Sequence, residues 1–209
     1  MARTVKRILA HVSNVFPSRS RSTPEPATRG RINVNQVAAP PVAPPTVFPV
    51  GFAPSAETLH LGGDDLPWIP VGEGVDLQLL HVDLNQGLWI NRTRLKPGTA
   101  VPTHFHAGMV LAVTLQGRWF YQESPNQVNS TGSYLFEPAG SVHTLQAAAD
   151  QSEDTIAWFA IWGPNINIDG DRQVTAVIDA HAILTLYRAQ CAGRDLDCSK
   201  LIVVGGHGA

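Results

Sequence analysis

Three histidine residues have the types and spacing best suited to chemistry in this sequence. His104 and His106 stand one residue apart, and His143 follows a turn made by Pro138 and Gly140. Residues i and i+2 of a β-strand point to the same face, so His104 and His106 can aim two imidazoles at one point. His143 can complete a facial set of three. Neutral imidazoles would leave a divalent transition metal with open positions for a substrate and O2.

The glycines and the proline around these histidines give two ordered motifs. The first comprises Gly98, His104, His106 and Gly117, and the second comprises Gly132, Pro138, Gly140 and His143. Both motifs resemble the paired motifs of the cupin superfamily. The resemblance implies an all-β fold, a double-stranded β-helix or jelly-roll barrel, with a metal inside its mouth and His104, His106 and His143 as the ligands.

The sequence departs from the usual cupin pattern at two positions. Val110, followed by Leu111, stands where a glutamate ligand is common, and Ala147 replaces an asparagine that often closes the second motif. A neutral site of three histidines resembles cupin dioxygenases that cleave C–C bonds next to carbonyls. Within these, residues 117–123 and 132–145 resemble the 2,4'-dihydroxyacetophenone dioxygenases, over about residues 62–205.

This resemblance implies a reaction, a cofactor and partners. The cofactor would be Fe(II), with zinc or another divalent metal as the alternative. The substrates would be O2 and a small ketone, either a hydroxyketone or a β-diketone, which would supply negative charge as an enolate and be cleaved to two carboxylic acids. The expected assembly is a homo-oligomer, a dimer or a tetramer.

Two glutamates are open candidates. The resemblance implies Glu123 as a catalytic carboxylate near the metal, and the alternative is a solvated carboxylate on a strand. Glu137 directly precedes Pro138, and two roles are open for it: a structural partner within the turn, or a residue of the site. Most of the aromatic residues are expected in the barrel core, with one or two lining a pocket.

Two other functions remain open for a cupin of this kind. One is a zinc-binding sensor without turnover, like the cupin domain of the ChrR type of anti-sigma factor, and the other is a metal-dependent isomerase. The ChrR type joins its cupin to a helical partner-binding domain. Residues 1–60 are too rich in proline to predict such a domain, which favours the enzyme.

The elements that must position these residues are short strands. Their apolar pattern and the Gly, Pro, Asn and Asp residues between them predict a sandwich or barrel. The predicted strands are 67–71, 75–82, 87–95, 100–106, 110–115, 118–123, 132–137, 143–147 and 155–162. Residues 115–118 and 169–171 are predicted hairpin turns, and 177–188 a C-terminal helix ending near Gly193.

Composition is consistent with one turn-rich domain, because the 209 residues include 44% apolar residues, 18 Gly and 16 Pro. Seven of the 15 Lys and Arg residues lie in residues 1–32, whereas 16 of the 17 Asp and Glu residues lie beyond them. The rest of the chain is therefore acidic, which argues against nucleic-acid binding. No apolar run is long enough to span a bilayer.

The chain divides into two parts by pattern. Residues 1–50 are predicted to be a basic amphipathic leader and a Pro-rich linker, both expected to be disordered, and residues 51–209 are predicted to be the cupin domain. The leader resembles a mitochondrial presequence, with a disordered or misassigned extension as the alternative. The protein is thus expected inside the cell, in mitochondria if the source is eukaryotic and otherwise in the cytoplasm. Cys191 and Cys198 are expected as free thiols.

Overall fold

The computed structural model describes residues 58–206. The predictions made for residues 1–50, a leader and a linker, lie outside the described residues. Within the described part there are fourteen strands and one helix. No helix in this part is long and apolar enough to cross a membrane.

The strands are short, as their turn-rich sequence predicts. They are β1 Ile69–Gly72, β2 Val75–Asp83, β3 Leu88–Leu95, β4 His104–His106, β5 Val110–Gln116, β6 Arg118–Tyr121, β7 Asn129–Ser130, β8 Tyr134–Glu137, β9 Val142–His143, β10 Leu145–Ala147, β11 Thr155–Trp162, β12 Asn165–Ile168, β13 Val174–Ile178 and β14 Ile202–Val204. The helix α1 is Ala180–Ala192.

The largest sheet has seven strands. Its order is β1-β2-β3-β11-β5-β8, antiparallel throughout, and β14 adds to β2 as a parallel strand. Alternate residues of β11 are buried, and they lie opposite alternate residues of β3 and β5. This period of two directs one face of the sheet inward, where Leu79, Leu95 and Phe159 belong to the main core cluster.

Two smaller sheets complete the fold. One has the order β13-β12-β4-β9 and contains all three histidines, and the other has the order β10-β6-β7. Residues of the four-stranded sheet and of the seven-stranded sheet line one cavity, so the two sheets face each other across it. The expected all-β jelly-roll fold with a C-terminal helix is confirmed.

Helix α1 closes one side of this arrangement. The Asp179 carboxylate caps it by accepting a hydrogen bond from the Ala182 backbone N–H at 2.8 Å. Ile183 and Leu184 are buried with Tyr187, whose hydroxyl donates a hydrogen bond to the Pro67 carbonyl at 2.6 Å. The helix therefore fastens the C-terminal part of the chain to the segment that leads into β1.

Some local predictions are wrong. The turn at Gly117 does not join a hairpin, because β5 and β6 lie in different sheets and Gly117, with φ of 72°, carries the chain between them. The predicted helix begins three residues too early, because Val177 and Ile178 belong to β13. The turn at 169–171 does connect two paired strands, β12 and β13, neither of which was predicted.

Candidate metal centre

Backbone pairing brings the three histidines together. His104 and His106 lie on one face of β4, and His143 of β9 pairs directly with His104 in an antiparallel register. The Pro138–Gly140 turn holds β9 in place, since the Gly140 N–H donates a hydrogen bond to the His106 carbonyl at 2.8 Å. One ligand nitrogen from each histidine lies within 4.8 Å of the others. The same-face placement expected of His104 and His106 is therefore what the strands produce.

The hydrogen bonding of His104 selects the nitrogen that could bind a metal. Its Nδ1 lies 2.7 Å from the Pro102 carbonyl oxygen, which can only accept a hydrogen bond. Nδ1 must therefore carry the proton, and Nε2 keeps its lone pair for a ligand bond. A metal-bound histidine commonly has its second nitrogen fixed in this way.

Burial keeps the three imidazoles uncharged. It lowers the pKa of His104, and it lowers that of His106 to about 3, with further contributions from the other two histidines. Burial, followed by His104, lowers the pKa of His143 to about 4, while Glu123 acts in the opposite direction. The histidines are thus neutral near pH 7, which is the form that coordinates a metal.

Glu137 joins this cluster from a neighbouring strand. Its Oε2 lies 3.3 Å from His143 Nε2 and 3.6 Å from His106 Nε2. Glu137 of β8 pairs directly with Val110 of β5, the position at which a carboxylate is common in the first motif. Side chains of directly paired residues share one face of a sheet, so the strand beside Val110 supplies the carboxylate that Val110 lacks.

The surroundings of Glu137 are mostly closed to water. Burial raises its pKa to about 7, although the hydrogen bond from Tyr121 lowers it. The Tyr121 hydroxyl donates that bond to Oε1, and its ring stacks on His143 with centroids 4.1 Å apart. Burial, with the charge of Glu137, raises the pKa of Tyr121 far above its ordinary value, so the hydroxyl stays a neutral donor.

Unpaired polar atoms show that the residues fit a metal ion. Glu137 Oε2, His143 Nε2 and His106 Nδ1 are buried without a hydrogen-bond partner within residues 58–206. Leaving such atoms unpaired is costly unless a ligand compensates them. Of these, His143 Nε2 lies beside the His104 ring, where imidazole nitrogens suit a divalent transition metal, and Glu137 Oε2 lies against it as a neighbouring carboxylate.

Glu123 lies elsewhere. Its Oε2 accepts a hydrogen bond from the Thr144 backbone N–H at 2.9 Å, and the side chain is exposed. It lines a smaller cavity of about 230 Å³, which is also lined by Tyr121, Glu137 and His143. The structure thus places Glu123 beside the strand that carries His143, and it does not bring its carboxylate into the histidine cluster.

A larger cavity of about 480 Å³ reaches the histidines from inside the barrel. His104, His106, Tyr121 and Glu137 border it at one place. Its other walls are mainly apolar and come from both facing sheets and from α1, and they include Leu77, Trp89, Val101, Leu145, Phe159, Ile161 and Ile183. Trp89, Tyr121 and Phe159 are thus the aromatic side chains that line the cavity, whereas Trp119 is fully buried in the core.

Sequence reasoning gave Glu137 too little weight. The available signal was its position six residues before His143, within the second motif. Placing it at the cluster required the register of β8 against β5, which pairs it with Val110. The register between two strands depends on tertiary structure and cannot be derived from the spacing of residues along one strand.

Solved structures with the same fold include three informative ones. A protein of unknown function with a cupin-like fold from Ralstonia eutropha is 29% identical, with a TM-score of 0.67, over 74% of this chain and 97% of its own. An RmlC-like cupin from the same organism is 28% identical, with a TM-score of 0.63, over 68% and 91%. An acetylacetone dioxygenase from Acinetobacter johnsonii is 21% identical, with a TM-score of 0.57, over 65% and 93%, and shares the fold.

The sequence comparisons place the chain within a family. No curated protein matches it. The finer resemblance to 2,4'-dihydroxyacetophenone dioxygenases stays a prediction. The family model described as the ChrR cupin-like domain matches residues 57–164, about half of the chain, and covers all three histidines and Glu137. The chain therefore belongs to the ChrR cupin-like domain family of cupins.

Proposed function

We propose that this protein is an Fe(II)-dependent dioxygenase that cleaves the C–C bond next to a carbonyl in a hydroxyketone or a β-diketone. His104, His106 and His143 would hold the iron. The observation that carries the proposal is the cluster of three neutral, buried histidines, two of which, His104 and His106, border a mainly apolar cavity of about 480 Å³. A cavity of this size accommodates a small aromatic ketone.

The chain's own residues have distinct tasks in this proposal. Apolar walls such as Trp89 and Phe159 would hold the hydrocarbon part of the ketone and exclude water. Glu137 Oε2, which has no partner among the described residues, would accept the proton released when the ketone enolises. Tyr121 would keep the carboxylate in position through Oε1. Bound iron(II) would supply the reactivity toward dioxygen.

The atoms of the proposed reaction balance without an external reductant. An aryl hydroxymethyl ketone and one O2 give an aryl carboxylic acid and formic acid, because the C–C bond breaks and each fragment gains one oxygen atom. A β-diketone would instead give one carboxylic acid and one dicarbonyl fragment. The expectation of two acids therefore belongs to the hydroxyketone.

The test is oxygen uptake by protein reconstituted anaerobically with Fe(II). Adding 2,4'-dihydroxyacetophenone should consume one O2 for each ketone lost, and 18O2 should label both products. The matched control is His181→Ala, which removes an exposed histidine of α1 and should leave the rate unchanged. Absence of uptake across hydroxyketones and β-diketones, with iron bound, would contradict the proposal.

The family match favours one alternative, a metal-binding sensor domain without turnover. Such a domain would hold zinc at the same histidines and bind a small ligand in the same cavity. Purified protein that carries zinc, binds a ketone and consumes no O2 after iron reconstitution would support the sensor and exclude the dioxygenase.

A further inference from the structure

Two asparagines lie directly beside the histidines. Strand β12 pairs with β4 so that Asn165 is opposite His106 and Asn167 is opposite His104. Directly paired residues of an antiparallel sheet project from the same face, with Cβ atoms about 5 Å apart. Both asparagines accordingly border the large cavity next to His104 and His106. Ile166, between them, pairs with Phe105 and projects from the opposite face.

The two amides are oriented by a bond to each other. The Asn165 NH2 group donates to Asn167 Oδ1 at 2.8 Å. This bond leaves the NH2 group of Asn167 and the Oδ1 of Asn165 for a ligand, both on half-buried side chains. A third amide, on the 1% exposed Asn91, borders the same cavity and accepts a hydrogen bond from Thr93 Oγ1, which leaves its NH2 group as a donor.

The wall beside the histidines offers a ligand neutral hydrogen-bond donors. Among the described residues that border the cavity there is no Lys or Arg, and its acidic members are Glu137, beside the histidines, and Glu73, exposed between β1 and β2. A ligand oxygen that reaches the wall formed by β12 therefore meets amide groups and no cationic side chain. A carbonyl or hydroxyl oxygen can accept a hydrogen bond from such an amide NH2 group.

We infer that Asn165 and Asn167 form the polar recognition site of this cavity and bind a carbonyl or hydroxyl oxygen of the ligand. The NH2 group of Asn167 would donate to the ligand oxygen, and Asn165 would hold that amide in the donating orientation. This inference rests on the proposed function in that the ligand is a ketone. It assigns recognition of the ketone oxygen to β12, a strand that holds none of the three histidines.

The test measures binding without turnover, by calorimetry on the full chain loaded with zinc. The matched pair is 4'-hydroxyacetophenone and 4-ethylphenol, which has nearly the same size but lacks the carbonyl oxygen. The ketone should bind about fivefold more tightly or better, the gain expected for at least one neutral hydrogen bond. Equal or tighter binding of 4-ethylphenol, or no detectable binding of the ketone, would overturn the inference.

Substitutions show whether the asparagines are responsible for ketone binding. Asn167→Asp keeps an acceptor for Asn165 but removes the NH2 donor, so 4'-hydroxyacetophenone should bind about fivefold more weakly, the loss expected for one neutral hydrogen bond. Asn165→Leu should weaken it similarly, whereas the control Ile166→Val should not change the affinity. Unchanged affinity in both asparagine variants, with melting temperatures near that of the wild type, would contradict the assignment.

These results are separable from those that test the dioxygenase. If the neutral ketones bind through Asn167 but no O2 is consumed with iron, the recognition site stands and the dioxygenase proposal fails. If O2 is consumed while the asparagine variants bind ketones normally, the dioxygenase proposal stands and the recognition site fails.

Discussion

At the scale of single residues, the three histidines should dominate metal binding. His104→Ala, His106→Ala and His143→Ala each remove one of three clustered nitrogens, so each variant should lose most of the approximately one metal per chain expected for the wild type. Metal analysis of purified protein measures this, with the exposed His181→Ala as the control. Full metal content in two of the three variants would refute the assignment of the site.

Substitution of the two glutamates should lower kcat to different extents. Glu137→Gln keeps the size of the side chain but removes the base beside His143, so kcat should fall about 100-fold, a loss typical for a general base. Glu123→Gln should also impair turnover more than metal loading, but less, because Glu123 acts through the Thr144 backbone N–H that follows His143. Metal analysis and steady-state kinetics on both variants measure the difference.

Each glutamate has a result that contradicts its role. Loss of metal in Glu137→Gln as complete as in a histidine variant would identify it as a ligand and not a base. Unchanged kcat and KM in Glu123→Gln would make Glu123 a surface residue without a part in the reaction.

How far single residues could be predicted depends on whether they share one strand. His104 and His106 could be placed on one face from spacing alone, since the period of a strand is two. Glu137 and Asn167 could not, because they reach the cluster only through the registers of β8 with β5 and of β12 with β4. Nothing in the local sequence states which residue a strand will pair with.

At the scale of elements, the long strands could be predicted closely, whereas the bounds of short strands were less accurate and some short strands were missed. The expected strands at 75–82, 87–95 and 155–162 match β2, β3 and β11 closely. Strand β12 alternates two asparagines, which are depleted in strands, with two isoleucines, which favour them, so its propensity over only four residues is balanced and does not indicate a strand. Tertiary pairing with β4 and β13 makes it a strand.

Gly108, between β4 and β5, lies where the fold leaves no space for a side chain. A Cβ atom on Gly108 would lie 2.0 Å from the Trp162 carbonyl oxygen, which is backbone and cannot rotate away. Gly108→Ala must therefore displace the end of β11 or the segment after His106, at a cost of about 1–3 kcal/mol. Thermal unfolding should show a melting temperature several degrees lower. The control Gly63→Ala, whose Cβ meets nothing within 4 Å, should leave it unchanged. Equal melting temperatures for the two variants would contradict this account.

At the scale of the whole molecule, composition and turn density indicated the fold class, because many short strands separated by Gly and Pro leave few architectures other than a sandwich or barrel. What composition could not supply was the division of the strands among three sheets. The turn at Gly117 is an example. Its local sequence is typical of a hairpin turn, but the strands on either side of it, β5 and β6, belong to different sheets. The choice depends on which partners bury the flanking strands, which is a property of the whole barrel.

The last prediction concerns the independence of the barrel from residues 1–50. The buried residues of the main core cluster lie between Ile69 and Cys191, and the sequence of 1–50 lacks a pattern that could build a core. Deleting residues 1–50 should therefore leave the melting temperature and the metal content of the full chain nearly unchanged. The contrasting truncation removes residues 180–209 and with them Ile183, Leu184 and Tyr187, which are buried against the sheet, so it should unfold the protein or lower its melting temperature strongly. Calorimetry and metal analysis on both truncations decide the matter. If the N-terminal deletion were as damaging as the C-terminal one, residues 1–50 would have to contribute to the packing of the cupin domain.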